Sequence, residues 1–437
     1  MIFPKTPIIF AASVLLSQVA FGPVAFAQPG DALHSDGGWK LSPSLKLAAS
    51  YNSNVYRASE DETASTVADA PVMGIEPAIS IQSPRERVFL LDLDGGLRWD
   101  QYFNIGDDAS FDVGDQSGLS AFGNINATIN PEGSLSLRLD ESIIRSNEPS
   151  PYSSTDSYNW ITNELGGVVG IRPGAGVLSF DLGYHWKLYA FDTPTLESLD
   201  RDVHRFDLDI NWKFLPKTSL LAKADYRLVR WREATRSAAR EDGDFPALVN
   251  NDNNPLRVQG GLSGLLTERL SVQALAGYGA SMHENGESFS GVIGSFALAY
   301  AFGRLDLNNS LSTGYRRDFG DASVGNYFAS HQVYLKYLQN LLDKRLSFNL
   351  GARFEYRDYS AESSIFGNDL SDQLLVGDAG IGVSATDWLR FGLDYRLSMN
   401  LTDNEYSIAA VDPTDPTVSI LRGFTQHIAT LSMTAKY

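Results

Sequence analysis

Arginine side chains recur at alternate positions in several stretches of the chain, and carboxylates occupy the same set of positions. This pattern supports two kinds of electrostatic interaction: a ladder of guanidinium groups that guides an anionic solute, or ion pairs that join neighbouring strands. Both readings stay open from the sequence. The candidate arginines are Arg98, Arg138, Arg205, Arg227, Arg316, Arg353, Arg357, Arg390 and Arg396, and the carboxylates of the same face include Asp92, Asp94, Asp100, Asp140, Asp207, Asp225, Asp306, Asp318, Glu355 and Asp394.

The histidines offer little catalytic chemistry. Of the six in the chain, His185, His283 and His331 lie on or near predicted strands, and none has a serine or aspartate nearby in an arrangement typical of nucleophilic catalysis. No spacing of histidines and carboxylates matches a metal site. We therefore predict that the chain is not an enzyme and that it holds neither a metal nor a cofactor.

The charged residues alternate with apolar ones, which is the pattern of a β-strand with one polar and one apolar face. The clearest case runs from Phe89 to Trp99, and the alternation recurs in 135–143, 178–190 and 206–214. These stretches are about 10 to 15 residues long, which is close to the length that a tilted strand needs to cross a bilayer. They predict an all-β fold that crosses a membrane.

The connections alternate between short turns and long polar segments, an asymmetry typical of transmembrane β-barrels. Eight short and nine long connections predict an antiparallel up-and-down barrel of about eighteen strands with both termini on the periplasmic side. Sixteen strands is the main alternative, because glycine interrupts the pattern in 158–171, 256–264 and 370–383. The long connections are 53–70, 104–116, 145–157, 192–201, 233–254, 284–287, 320–325, 359–369 and 402–421.

Aromatic residues end the apolar faces of the predicted strands. Tyrosine and tryptophan prefer the two interfaces of a membrane, where one part of the side chain is apolar and another meets water. A soluble sandwich would give no reason for such girdles. The predicted girdle residues are Trp39, Tyr51, Trp99, Tyr184, Trp186, Trp212, Tyr226, Tyr278, Tyr300, Tyr337, Tyr356 and Tyr395.

The first residues predict export across the inner membrane. Lys5 precedes an apolar stretch, and the small residues at its end indicate cleavage near Ala27. We divide the chain into a signal peptide at 1–27, a periplasmic N-terminal segment at 28–38 and the barrel at 39–437. The mature protein is predicted to be an integral protein of the cell outer membrane.

The composition excludes two further arrangements. The chain has no cysteine, so no disulfide supports the fold. Its 53 carboxylates outnumber the 35 lysines and arginines, which argues against nucleic acid as a partner. Much of the acidity lies in the predicted loops.

The last strand carries a terminal pattern of its own. Ala429, Leu431, Met433 and Tyr437 alternate with polar residues, which resembles the signature that barrel-assembly machinery reads, although tyrosine stands where phenylalanine is commoner. We expect this machinery to be a partner of the chain, together with outer-membrane lipid and lipopolysaccharide.

The stretch from Leu45 to Arg57 contains the string Tyr-Asn-Ser-Asn-Val-Tyr-Arg at 51–57, and an acidic segment and Pro77 follow it. It resembles the beta-barrel porin family, whose members are described as outer-membrane beta-barrel proteins associated with exopolysaccharide export. The resemblance is sharp over residues 45–103. Over the rest of the chain it is limited to the barrel architecture. It implies a conduit for a surface polysaccharide, beside a periplasmic polysaccharide export protein. It carries over no substrate residues.

Three functions follow as alternatives. The first is a conduit for export of a secreted or surface polysaccharide, with the nine arginines on the wall of its path. The second is a general or solute-selective porin. The third is a structural or anchoring barrel closed by a plug, for which the loop from Glu233 to Asn254 is the best candidate. The small residues of 274–280 and 291–301 would suit contact between subunits.

Overall fold

The protein is described from a computed structural model. It covers residues 38–57, 67–84, 88–105, 113–149, 157–192, 200–232, 251–322, 326–360, 371–402, 406–408, 418–420 and 423–437. The signal peptide and nearly all of the periplasmic segment predicted for 1–38 lie outside these residues. Cleavage near Ala27 therefore stays a prediction.

Eighteen antiparallel strands form one sheet that closes on itself. The strands are β1 (Lys40–Asn52), β2 (Ala70–Gln82), β3 (Phe89–Tyr102), β4 (Gly118–Ile129), β5 (Leu135–Pro149), β6 (Ser157–Ile171), β7 (Leu178–Phe191), β8 (Arg201–Leu215), β9 (Thr218–Trp231), β10 (Leu256–Leu265), β11 (Leu270–Ala280), β12 (Ser290–Ala301), β13 (Ser310–Asp321), β14 (Tyr327–Leu341), β15 (Leu346–Tyr359), β16 (Ser371–Ser384), β17 (Leu389–Asn400) and β20 (Phe424–Lys436). Two short strands, β18 (Tyr406–Ile408) and β19 (Val418–Ile420), form a separate hairpin before β20.

Each barrel strand pairs with its neighbours along the chain, and β20 closes the barrel by pairing with both β17 and β1. This is the up-and-down barrel that the sequence predicts, with eighteen strands and not sixteen. Eight short turns lie at one end, here called the turn end, and nine longer connections lie at the other, the loop end. β1 begins and β20 ends at the turn end, which is the periplasmic end in barrels of this kind.

Side chains alternate between two environments along each strand. One face carries exposed apolar residues, such as Leu182 at 50% and Leu393 at 53%. The other face carries the polar residues, and it includes an ion pair of 2.9 Å between Arg257 Nε on β10 and Asp318 Oδ1 on β13. Side chains can meet over two intervening strands only on the concave side of a wall. The exposed apolar face is therefore the outer surface, as a surface in contact with lipid requires.

Aromatic residues lie on the outer surface near both ends of the barrel. Trp186 and Tyr337 are the two predicted girdle residues that are half-buried, because they donate hydrogen bonds to Asp202 and Gln339. No helix among the described residues is long and apolar enough to span a membrane. The exposed girdle residues are Trp39, Tyr51, Trp99, Tyr184, Trp212, Tyr226, Tyr278, Tyr300, Tyr356 and Tyr395.

Glycine does not end the strands that it interrupts in the sequence, because it makes room for large side chains of the inner face. Gly166 on β6 lies opposite His185 on β7, and a Cβ at Gly166 would stand 2.1 Å from His185 Nδ1. Gly183 has the same relation to Asp207, at 2.1 Å from its Oδ2. The three uncertain stretches of the sequence are β6, β10 and β16.

Candidate functional site: the inner wall of the barrel

All nine predicted arginines lie on the inner face of the barrel, opposite in direction to the exposed apolar residues. They do not form one row, because they are spread over seven of the eighteen strands. Their places are Arg98 on β3, Arg138 on β5, Arg205 on β8, Arg227 on β9, Arg316 on β13, Arg353 and Arg357 on β15, and Arg390 and Arg396 on β17.

Most of these arginines are held by a carboxylate two residues away on the same strand. Residues i and i+2 of a strand point to the same side, so the sequence spacing itself creates the pair. The geometry thus favours ion pairs within the wall over a free ladder of guanidinium groups. The pairs are Arg98 Nε to Asp100 Oδ2 at 2.8 Å, Arg138 Nε to Asp140 Oδ1 at 3.5 Å, Arg227 Nε to Asp225 Oδ1 at 2.8 Å, Arg357 Nε to Glu355 Oε1 at 2.9 Å, and Arg316 to Asp318.

The widest of these networks surrounds His185, which is 6% exposed. Its Nδ1 lies 3.2 Å from Asp140 Oδ2 on β5, and its Nε2 lies 3.4 Å from Asp207 Oδ1 on β8. Arg205 joins the same group, at 3.3 Å from Asp207 and 3.4 Å from Glu164. His185 is therefore a residue of the wall whose two ring nitrogens face carboxylates.

A second network crosses the barrel wall over β11 and β12. Besides its ion pair with Asp318, Arg257 donates to the carbonyl oxygen of Phe319 at 2.6 Å, and its guanidinium carbon lies 4.0 Å from the centre of the Phe319 ring. The inner faces of β11 and β12 carry only uncharged residues, among them Gly277 and Ala297. Arg257 thus extends across a neutral sector that separates two charged ones.

The arginines of β17 are held by other strands. Arg396 Nε lies 2.9 Å from Asp378 Oδ1 on β16, directly across the strand pair. Arg390 donates from Nη2 to Ser347 Oγ on β15 at 2.6 Å. These contacts stiffen the wall in the same way as the pairs within single strands.

Sequence reasoning missed Arg201, because it assigned this residue to the long connection 192–201. Arg201 is instead the first residue of β8, on the inner face at the loop end. Its guanidinium carbon lies 4.4 Å from the Tyr189 ring centre and 4.7 Å from that of Trp231. The period of two extends back to Arg201 in the sequence, but the aromatic partners come from two other strands.

Sequence reasoning also misplaced Asp306. It lies in the exposed turn between β12 and β13 and not on the inner face, because β12 ends at Ala301 and a short 3-10 helix, Leu305–Leu307, follows. Arg304 Nη2 donates to Asp306 Oδ2 at 2.6 Å and Arg304 Nη1 to Asp343 Oδ1 at 3.1 Å. The hydrogen bond from Arg304 lowers the pKa of the Asp306 carboxyl.

A chain of polar contacts at the loop end has the residue types of a hydrolase. Ser281 Oγ lies 2.9 Å from His283 Nδ1, and Asn253 Nδ2 lies 3.1 Å from His283 Nε2. Ser281 is 0% exposed, however, and its oxygen also accepts from the amide of Phe289 at 2.7 Å. A substrate cannot reach this hydroxyl, so the cluster ties the loops together. Within the described residues, no group of three or more histidines and carboxylates could hold a metal ion.

The string at 51–57 joins the first strand to the last at the loop end. Ser53 donates its amide to the carbonyl of His427 at 2.9 Å, and His427 donates its amide to Ser53 Oγ at 2.9 Å. Val55 and Tyr56 then pack against Val113 in a buried apolar cluster. The residues that carry the family resemblance therefore serve the closure of the barrel.

No protein-family model and no curated protein matches the chain. Solved structures of outer-membrane proteins are similar to the chain over most of its length, at low identity. Pseudomonas aeruginosa OpdQ is 10% identical, with 91% of this chain and 98% of that chain covered at a TM-score of 0.44. Acinetobacter baumannii OccAB3 is 11% identical, with 91% and 99% covered at 0.42. A mutant of the ferric enterobactin receptor PfeA of Pseudomonas aeruginosa is 11% identical, with 91% and 80% covered at 0.44.

Proposed function

We propose that the protein is an outer-membrane channel that lets hydrophilic solutes diffuse through its lumen, which is the porin alternative of the sequence analysis. The observation that carries this proposal is the exposure of charged side chains on the inner face. The Arg138 side chain is 48% exposed and that of Asp209 is 42% exposed, although both point into the barrel. A barrel of eighteen strands is wide enough to hold an aqueous path.

The pairing of the wall charges supports a channel of weak charge selectivity. An arginine that is neutralised by a carboxylate about 3 Å away presents little net field to a passing ion. The nine arginines then stiffen the wall more than they guide an anion. Arg201, which has aromatic neighbours instead of an ion pair among the described residues, is the cation best placed to meet an anionic solute at the loop end.

Polysaccharide export is the second candidate, and it rests on the resemblance over 45–103. The string at 51–57 contributes to the closure of the barrel and so indicates a type of barrel. It does not indicate which solute or polymer passes through. The third alternative, a plugged barrel, depended on the loop from Glu233 to Asn254. Most of that loop lies outside the described residues.

The experiment that tests the channel is single-channel recording of the purified full chain in planar bilayers. We expect stepwise conductance in KCl and a reversal potential close to zero in a salt gradient. A change in gel mobility on heating shows that the purified barrel is folded. A folded barrel that conducts no current would overturn the proposal. Addition of a long anionic polysaccharide to one side separates the first two candidates, since persistent block would favour the export conduit.

A further inference from the structure

Three tyrosine–histidine pairs lie on the outer surface of the barrel, away from the inner wall. In each pair the phenol oxygen of the tyrosine and Nδ1 of the histidine are within hydrogen-bond distance. We call them the Tyr–His pairs. Their Oη to Nδ1 distances are 2.9 Å for Tyr184–His204, 2.8 Å for Tyr315–His331 and 2.7 Å for Tyr395–His427.

The three Tyr–His pairs share one register. Each histidine lies on the next barrel strand, opposite the residue two positions beyond its tyrosine, so the two side chains are diagonal neighbours. Their ring centres are 6.1 to 6.2 Å apart. Three of the five described histidines use this geometry, which makes it a repeated feature of the outer surface. The cross-strand partners of the histidines are Trp186 for His204, Arg317 for His331 and Leu397 for His427.

All three Tyr–His pairs lie toward the loop end. Their histidines are the fourth residue of β8, the fifth of β14 and the fourth of β20, and each of these strands begins at the loop end. Outer-surface aromatics at the turn end, such as Trp212 and Tyr300, have no described histidine beside them. If the loop end faces outward, the pairs therefore touch the outer leaflet alone.

The hydrogen bond fixes what each imidazole offers to its surroundings. A neutral ring whose Nδ1 accepts from a tyrosine hydroxyl carries its proton on Nε2, which is then a donor. Protonation keeps that donor and adds a positive charge. Within the described residues, no other hydrogen bond engages the imidazole rings of His204, His331 or His427. With the tyrosine hydroxyl as the donor, each pair presents one oriented Nε2–H group at the membrane interface.

The charges beside the pairs favour an anionic acceptor. Arg317 lies directly opposite His331 on the outer surface and places a positive charge beside that pair. The carboxylate next to His204, Asp202, already accepts from Trp186 and Arg232, each at 3.1 Å.

We propose that the Tyr–His pairs bind phosphate groups of lipid A in the outer leaflet. An imidazole N–H group and a guanidinium are the donors that form strong, charge-assisted hydrogen bonds with phosphate oxygens, and lipid A supplies phosphates to that leaflet only. The inference rests on the outer-membrane location in the proposed function. It does not require conduction, so a barrel that passes no current can still bind the lipid.

The test is native mass spectrometry of the full chain in detergent with added lipid A, and with phosphatidylglycerol in a parallel titration. The variant H204Q/H331Q/H427Q removes the three imidazoles. The control is His283→Gln. It removes a histidine that also lies at the loop end but is not on the outer surface. We expect up to three lipid A molecules on the wild-type protein and on the control, with an affinity about tenfold weaker for the triple variant.

Single variants keep the test decisive if the triple variant does not fold. Each of His204→Gln, His331→Gln and His427→Gln should lower the number of bound lipid A molecules by one. Unchanged lipid A binding in these variants would overturn the inference, and so would an equal loss of phosphatidylglycerol binding. Unchanged lipid A binding in variants of a wild-type protein that conducts normally would overturn this inference alone and leave the channel standing.

Discussion

The side-chain amide of Gln426 on β20 donates to the carbonyl oxygen of Asn54 at 2.7 Å and so ties the last strand to the segment that follows the first. The same nitrogen lies 3.2 Å from Asn52 Oδ1, and Asn54 Nδ2 donates to the carbonyl of Thr425 at 3.2 Å. Gln426 is 4% exposed and Asn54 is 1% exposed. These bonds lie beside the pairing of β1 with β20, the first and last barrel strands, which closes the sheet.

Gln426→Ala should destabilise the barrel by about 1 to 3 kcal/mol, because it removes two buried hydrogen bonds between the first and last strands. The measurement is urea-induced unfolding in lipid vesicles, followed by tryptophan fluorescence. Gln259→Ala is the matched control, since the Gln259 side chain on the inner face of β10 makes no hydrogen bond to another described residue. Equal midpoints for the two variants would contradict the role of Gln426 in closure.

The fold could be predicted from the sequence because its two strongest signals are local. The period of two fixes which side chains face in, and Arg98 and Asp100 needed only their spacing to be assigned to the same face. The alternation of turns and loops gave the strand number even at Gly166, where the pattern was weak, whereas Gly183 stands within the regular alternation of β7. Those glycines are explained by their partners His185 and Asp207 on neighbouring strands.

The contacts of the inner wall could not be predicted in the same way, because they depend on curvature. Arg257 and Asp318 meet only after the sheet has closed far enough to bring β10 and β13 together on its concave side. The Tyr–His pairs depend on the register between strands, which no single strand encodes. Asp306 was misplaced because the period of two was extended back beyond the start of β13 at Ser310.

The assignment of inner and outer faces predicts unequal losses of stability for lysine at two consecutive residues of β20. Leu431 is 60% exposed on the outer surface, and Thr430 faces inward, where its hydroxyl lies 2.8 Å from Ser50 Oγ. Leu431→Lys should cost about 2 to 4 kcal/mol, because the charge enters the bilayer near its middle. Thr430→Lys should cost about 0.5 to 1.5 kcal/mol, the worth of the lost hydrogen bond.

The measurement is the unfolding midpoint of each variant in lipid vesicles. The two lysines would lie at nearly the same depth in the bilayer, so only the face of the barrel differs between them. Leu182→Lys and Leu393→Lys should behave as Leu431→Lys does, since both leucines are about as exposed on the outer surface. Gly183→Lys is a poor inner-face control, because its Cβ would stand 2.1 Å from Asp207 Oδ2. Equal costs at Leu431 and Thr430 would show that the register is wrong.

Removal of Arg257 should raise the single-channel conductance. Its side chain extends over the neutral sector of β11 and β12 to reach Asp318, so Arg257→Ala opens that part of the lumen. Arg98→Ala is the control, because Arg98 pairs with Asp100 on its own strand and does not cross the sector. A rise in Arg98→Ala of the same size would mean that arginine volume anywhere on the wall limits the current.

The turn that holds Asp306 predicts a pH dependence with a definite sign. Arg304 lowers the pKa of Asp306 from its ordinary value of 3.8, so the folded protein favours the ionised carboxylate. The contribution to stability is complete above the ordinary pKa and is lost as the pH falls through the lowered one. Asp306→Asn should therefore be less stable than the wild type at neutral pH, and the difference should vanish in acid. Because both groups are exposed, added salt should shrink it as well. Unfolding midpoints across the acid range, at low and high salt, provide the measurement. A difference in stability between the two proteins that grew on acidification would contradict the lowered pKa of Asp306.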